Sequence, residues 1–248
     1  VSYVGDRQID DVGCVGHAFE HVTAHEWEDR PLLLYLASTS PARLALLRSS
    51  GIEPVVVPSS VDEDAVLSEA SSRRSMTPPE VVALLARAKA EAVVDAVLDS
   101  GGEPGFILGG DSMFELDGAV YGKPHTPERA GERLRLQRGR TGTLHSGHWL
   151  IEVDPITGAT RGAIGRTAAA TVSFADDISD AEIDAYVATG EPLEVAGAFT
   201  IDSLGAPFIR AVSGDPSTVV GLSLPTLRSL VRESGHEWTA LWNRPGAL

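Results

Sequence analysis

The stretch "LYLASTSPARLALLRSSG" ends an apolar run in small hydroxyls, then a proline and an arginine. Ser38, Ser40 and Arg43 stand where a strand passes into a helix. The first N–H groups of a helix have no intrahelical partner and carry the positive end of its dipole, so such a turn can hold an anion. Arg43 would add a planar, permanently charged donor fork. A plain cap by Ser40, with Pro41 at the first helical position, accounts for those two residues without a ligand. Farther on, "VDED" places carboxylates at 62 to 64, able to hold Mg²⁺ or merely to be solvated. In "ILGGDSM", Asp111 follows an apolar strand and two glycines that permit close backbone approach by a ligand. A carboxylate at the carboxyl end of such a strand suits a general base or a metal ligand. Lys123, between Gly122 and Pro124 in "YGKP", is a compact point charge suited to phosphate, or a turn lysine in water. Lys89 in "ARAKAEA" is a lone cation in an alanine-rich helix and fits a solvent face equally well.

Other chemistries lack their residues. There is no Walker A pattern, no G-x-G-x-x-G between strand and helix, no G-x-S-x-G elbow and no H-E-x-x-H. His145 and His148 are three apart in a β-prone run, so they point to opposite faces and chelate poorly. His17, His21 and His25 recur every four residues and would share a face of a helix, as a transition-metal site does. A solvated appendage is the simpler reading, since no acidic partner stands in a recognised pattern.

Elements must position these groups. "LLLYLA" predicts a buried strand, and 41–50 a helix ended by Gly51. "PVVVP" predicts a short strand, and 62–77 a loop with partial helix. Pro78 and Pro79 open an amphipathic helix expected to run to about Leu98. "FILGG" predicts a third strand, and Asp-Gly in "FELDGAVYG" a hairpin. Thr126 would cap a helix to about Arg138, and Ser179 with Glu182 a capping box. Strands are expected over 143–153, 167–174 and near 207–212, with a last helix over 224–234. Alternating strands and helices with hairpins predict an α/β domain on a mixed sheet. The domains read as an appendage over 1–30, a catalytic domain over 31–235 and a tail over 236–248.

The 248 residues are 43% apolar and 22% charged, within the range of soluble globular domains. No apolar run reaches bilayer length, and the first thirty residues lack the pattern of a secretory signal. One cysteine, Cys14, excludes an internal disulfide and fits a reducing cytosol. A formal charge of −15 argues against DNA or RNA as partner but does not exclude a small phosphorylated ligand, which an acidic chain can hold through a few lysines, backbone N–H groups and a divalent cation.

Taken in order, "LASTSPAR", "VDE", "LARAKAEAV", "ILGGDSMFELDGAVYGKP", "AYVATGEPLEVAGAFTIDSLGAPFI" and "GDPSTVVGLSLP" resemble the Maf-like nucleoside triphosphate pyrophosphatases from about Leu33 to Ser234. The resemblance implies an elongated α/β fold of the Maf/Ham1 (ITPase-like) kind, a twisted mixed sheet with two lobes around a cleft. It implies a cytoplasmic enzyme that hydrolyses nucleoside triphosphates between the α- and β-phosphates with a divalent cation (Mg²⁺, Mn²⁺ or Co²⁺). Pool sanitation of non-standard nucleotides fits it, and a homodimer is compatible with it. Asp111 matches the proton acceptor, and Ser38, Ser40, Arg43, Glu63, Lys89 and Lys123 match polar cleft residues. Lys89, Lys123 and Arg43 would spread the phosphate charge, while Glu63 and Asp111 would hold the metal. Three specificity positions depart from better-known branches: Ala42 stands for arginine or tryptophan, Ser112 for threonine and Asp202 for glutamine. The carboxylate of Asp202 accepts from amino and imino groups, which favours guanine or cytosine edges. A reading from another class is a regulatory protein that arrests septum formation through binding, with catalysis secondary.

Overall fold

The apolar runs become the inner strands of one sheet. A computed structural model describes residues 32–244, so the N-terminal histidines and Cys14 lie outside the described residues. In chain order the elements are β1 (Leu33–Ala37), α1 (Pro41–Ser49), β2 (Val55–Val56), α2 (Glu63–Arg73), α3 (Pro78–Glu91) and α4 (Val94–Leu98). Next come β3 (Gly105–Leu116), β4 (Ala119–Tyr121), α5 (Pro127–Gln137), β5 (Thr141–Asp154), β6 (Ala159–Phe174) and α6 (Asp180–Ala188). After three short 3₁₀ turns follow β7 (Ile209–Ser213), α7 (Pro216–Val220) and α8 (Leu224–Glu233). The strands form one open mixed sheet in the order β2-β1-β3-β5-β6-β7, with β4 paired to the far half of β3. Both β2 and β3 run parallel to β1, while the remaining pairs are antiparallel.

Strand alternation sorts the core. Leu34, Leu36, Phe106, Leu108 and Leu150 pack with Leu47 of α1 and Leu227, Leu230 and Val231 of α8. Their neighbours Tyr35, Ala37, Ile107, Ile151 and Val153 pack against Ala90, Val93 and Val97 of α3 and α4. Beyond the end of β1 the sheet carries a second cluster, with Phe114, Leu144, Val172 and Phe174 against Leu134 of α5 and Ile183 and Tyr186 of α6. Residues 236–244, expected as a tail, fold back onto the first cluster. Leu241 is fully buried there, and Ala240 accepts the Leu32 N–H at 2.7 Å. No described helix is long and apolar enough to cross a membrane.

Several expectations need correction. Within 62–77, expected as a loop with partial helix, residues 63–73 form a full helix, α2, whose N-terminus is capped by Asp62 and carries Glu63 and Asp64 in its first turn. Carboxylates there face the helix dipole, which explains the acidic run as a start signal. The helix expected through Leu98 breaks after Glu91, where the Val93 N–H turns to Ala90 O in a tight i−3 bond. The strand expected to end before Asp111 instead runs through it to Leu116, so Asp111 lies mid-strand.

Candidate active site

The β3 strand creates the site by outrunning its neighbour. β1 pairs with residues up to Gly109, and β4 begins pairing at Phe114. Between them, Gly110 to Met113 have a strand on the β5 side only, and there a cleft of about 780 Å³ opens. Successive residues on a strand point to opposite faces, so Asp111 and Ser112 address the cleft from the two sides of the sheet.

On one side, α3 brings Lys89 to Asp111. The Lys89 Nζ donates to Asp111 Oδ1 at 2.7 Å and lies 2.8 Å from Glu63 Oε1 at the start of α2. Burial raises the Asp111 pKa, and the Lys89 and Arg43 charges pull against that rise. The glycines before Asp111 let the helix and Arg43 approach the strand closely. A Cβ on Gly109 would lie 2.0 Å from Ala86 O of α3, and one on Gly110 would lie 3.2 Å from Arg43 Nε.

On the other side, α1 supplies Arg43, capped as the sequence predicts by Ser40 with Pro41 at its first turn. Arg43 is buried and spends its fork on neutral groups: Nε donates to Gly221 O at 2.8 Å, one terminal nitrogen to Ser38 Oγ at 3.1 Å and the other to Ser112 Oγ at 3.0 Å. Burial lowers its pKa, with Asp111 and Glu63 acting the other way. Arg43 has no carboxylate in ion-pair contact among the described residues, so its charge is fixed in place and left for an anion. Ser112, expected to select the base, also shares a 3.0 Å contact with Ser146 Oγ, and Ser146 donates on to Thr218 O.

The residues matched to the family's catalytic, cleft and specificity positions all line this cleft. Ser38 and Ser40 come from the β1–α1 turn, Ala42 and Arg43 from the first turn of α1, Glu63 from α2, Lys89 from α3 and Asp111 and Ser112 from β3. Lys123 stands at the mouth, half exposed and 3.7 Å from Glu194, and Asp202 is exposed on the opposite wall. Sequence reasoning missed the apolar lining from Leu85, Met113, Leu144, Phe199 and Val219, and the Gly221 carbonyl that orients Arg43. A backbone carbonyl leaves no side-chain signal, although the positive φ of Gly221 does mark the turn after α7.

A family model described as Maf-like protein matches residues 33–234, which takes in every element from β1 to α8. The chain belongs to the Maf-like family. A protein of Leifsonia xyli subsp. xyli named nucleoside triphosphate pyrophosphatase is 67% identical over 216 residues, covering 86% of this chain and 98% of that protein. Proteins of the same name from Corynebacterium diphtheriae and Saccharopolyspora erythraea are 46% and 47% identical, each covered over 98% of its length and matching 85% and 86% of this chain. In this Maf-like chain the described residues hold no group of three or more His, Cys, Asp or Glu side chains placed to grip a metal ion unaided.

Proposed function

We propose that the chain is a nucleoside triphosphate pyrophosphatase that hydrolyses the α–β phosphoanhydride to a nucleoside monophosphate and pyrophosphate. The observation that carries this reading is a buried, carboxylate-free Arg43 facing a Glu63–Lys89–Asp111 chain across one cleft. Anhydride hydrolysis needs positioning and charge neutralisation more than covalent help. Arg43 and Lys89 meet the phosphates from the two sides of β3, and Lys123 meets them at the mouth. Ser38 and Ser40 add hydroxyls at the α1 N-terminus. Asp111 takes the proton of the attacking water, and the burial that raises its pKa suits it to that work.

The donor set fits a hard divalent cation shared with the substrate. Glu63 Oε2 and Asp111 Oδ2 carry no hydrogen bond among the described residues, and Mg²⁺-type ions take one or two carboxylates together with phosphate oxygens. Such a cation supplies charge neutralisation at the phosphates. We place the base against the apolar lining, with Ala42, Ser112 and Asp202 selecting it. Residues 31–235 serve as the catalytic domain of a cytoplasmic, pool-sanitising enzyme. Pyrophosphate release across ordinary and modified nucleotides, with Mg²⁺, Mn²⁺ and Co²⁺, tests the reading. Release from at least one nucleotide is expected, and none from any would refute it.

A further inference from the structure

The wall that carries Asp202 has little regular structure of its own. Phe199 anchors one end, edge-to-face against Phe114 and Phe174 with ring centroids 5.1 and 4.9 Å away. Phe208 holds the other end against Tyr186. Between these anchors, Thr200, Ile201 and Asp202 face the cleft. Asp202 itself makes no hydrogen bond or ion pair among the described residues, so its position depends on how the backbone of residues 200–205 is held.

Most of the side-chain hydrogen bonds that hold that backbone converge on one carboxylate. Glu191 follows the left-handed Gly190 that ends α6, and its side chain turns back into the loop. Oε1 accepts from Thr200 Oγ1 at 2.6 Å, Tyr186 Oη at 3.0 Å and Gly205 N–H at 3.2 Å. Oε2 accepts from Ser203 Oγ at 2.7 Å and Leu204 N–H at 3.3 Å. Each partner is a donor, and a carboxylate is the one side-chain group that offers acceptor sites on both oxygens. Burial pushes the Glu191 carboxyl up, but these hydroxyl and amide donors outweigh it and hold it below its ordinary range. Glu191 does not line the cleft, and Asp111, Lys89, Glu63 and Arg43 all come from other elements.

We infer that Glu191 is a positioning residue for base selection, a clamp that fixes the loop over 200–205 and with it the placement of Asp202. The inference rests on the pyrophosphatase reading and deepens it. A loosened clamp must change which base is accepted while leaving the phosphate chemistry intact.

The test is Glu191→Gln, which keeps the size but turns an amide NH₂ toward donors, with Glu191→Asp and Ser203→Ala as milder companions. Ser203→Ala deletes one clamp contact without touching the cleft, so it serves if Glu191→Gln folds poorly. For Glu191→Gln we expect KM for the preferred nucleotide to rise and the ratio of best to worst kcat/KM to shrink about tenfold, the order of a lost charged hydrogen bond. kcat on the preferred nucleotide should stay within about twofold. Ser203→Ala should move the same way by less, Glu191→Asp should restore part of the discrimination, and amide exchange at Leu204 and Gly205 should quicken. Unchanged discrimination in Glu191→Gln and Ser203→Ala alike, or an equal loss on every nucleotide, would overturn the clamp. A native chain that hydrolyses no nucleotide would overturn the pyrophosphatase reading and the clamp with it, which separates the two failures.

Discussion

At Asp111 two requirements meet. As the proposed proton acceptor, the carboxylate has to be desolvated enough to accept a proton, yet stay ionised in the free enzyme. Its burial serves the first, and the Lys89 ammonium at 2.7 Å serves the second. Lys89 also neutralises Glu63, and Arg43 adds a further positive charge, so these four groups sum to no net charge before substrate arrives. On the proposed reading, the polyanionic triphosphate therefore needs Lys123 and a divalent cation as well, in line with a chain of strong overall negative charge. Asp111→Asn keeps the shape, and an amide oxygen can still accept from Lys89, but it cannot take a proton from water. The expected outcome is a fall in kcat of about 10²- to 10⁴-fold with a small change in KM, measured by pyrophosphate release. A variant that retains near-native kcat would remove Asp111 as proton acceptor. The same variant separates catalysis from regulation, since a division phenotype that survives it would come from binding.

The element that makes this pairing is α3, set against the sheet by two glycines. A Cβ on Gly147 would lie 2.1 Å from Val82 O, and one on Gly109 as close to Ala86 O, so α3 rests on bare backbone at both points. Gly147→Ala must push the helix, and Lys89 with it, away from Asp111. Overpacking of this kind costs about 1–3 kcal/mol, or a fall in Tm of roughly 2–12 °C for a chain of this size. A kcat loss of about tenfold should accompany it, because a small misplacement of a charge partner is costly. Gly162→Ala, on a part of β6 with open space around it, is the matched control and should leave both quantities unchanged. The start of the helix was readable in the sequence from Pro78 and Pro79, and the structure adds a Thr77–Glu80 capping box there. The β3–β4 hairpin was readable too, because Asp117 and Gly118 take the positive φ that an Asp-Gly turn provides. The continuation of β3 past "FILGG" through Asp111 and Ser112 was not readable. Those residues have poor strand propensity, and they are extended because Gly147 and Ser146 of β5 pair with them from far along the chain. The charged site residues could be picked out because each chemistry demands a residue type. Glu191 and the Gly221 carbonyl could not, since their value lies in which distant loop they face.

Across the whole molecule, His148 ties three elements together, two strands of the sheet and the start of α8, and makes the fold sensitive to acid. It sits on β5, nearly fully buried, between β6 and the start of α8. Its Nε2 accepts the Ser223 N–H at 2.8 Å, so the ring proton must be on Nδ1, which donates to Arg166 O at 3.2 Å. A second proton would have to go onto Nε2 and face an N–H donor inside the core. Burial, reinforced by the nearby Arg43 charge, accordingly lowers the His148 pKa from 6.5 to about 4. The sign follows directly. Between pH 6.5 and 4 the unfolded chain binds a proton at this site and the folded chain does not, so stability falls as pH falls and levels off below about 4. The span corresponds to about 3 kcal/mol. Other groups act in the same window, above all the shrinking negative charge, whose relief from self-repulsion favours the fold. His148→Gln isolates the histidine, because glutamine can accept from Ser223 and donate to Arg166 yet does not titrate. Urea unfolding of both proteins at pH 7 and pH 4.5 should show the native chain losing about 2–3 kcal/mol relative to the variant. Parallel pH profiles would mean that His148 is protonated in the folded state and that the tautomer assigned to it is wrong.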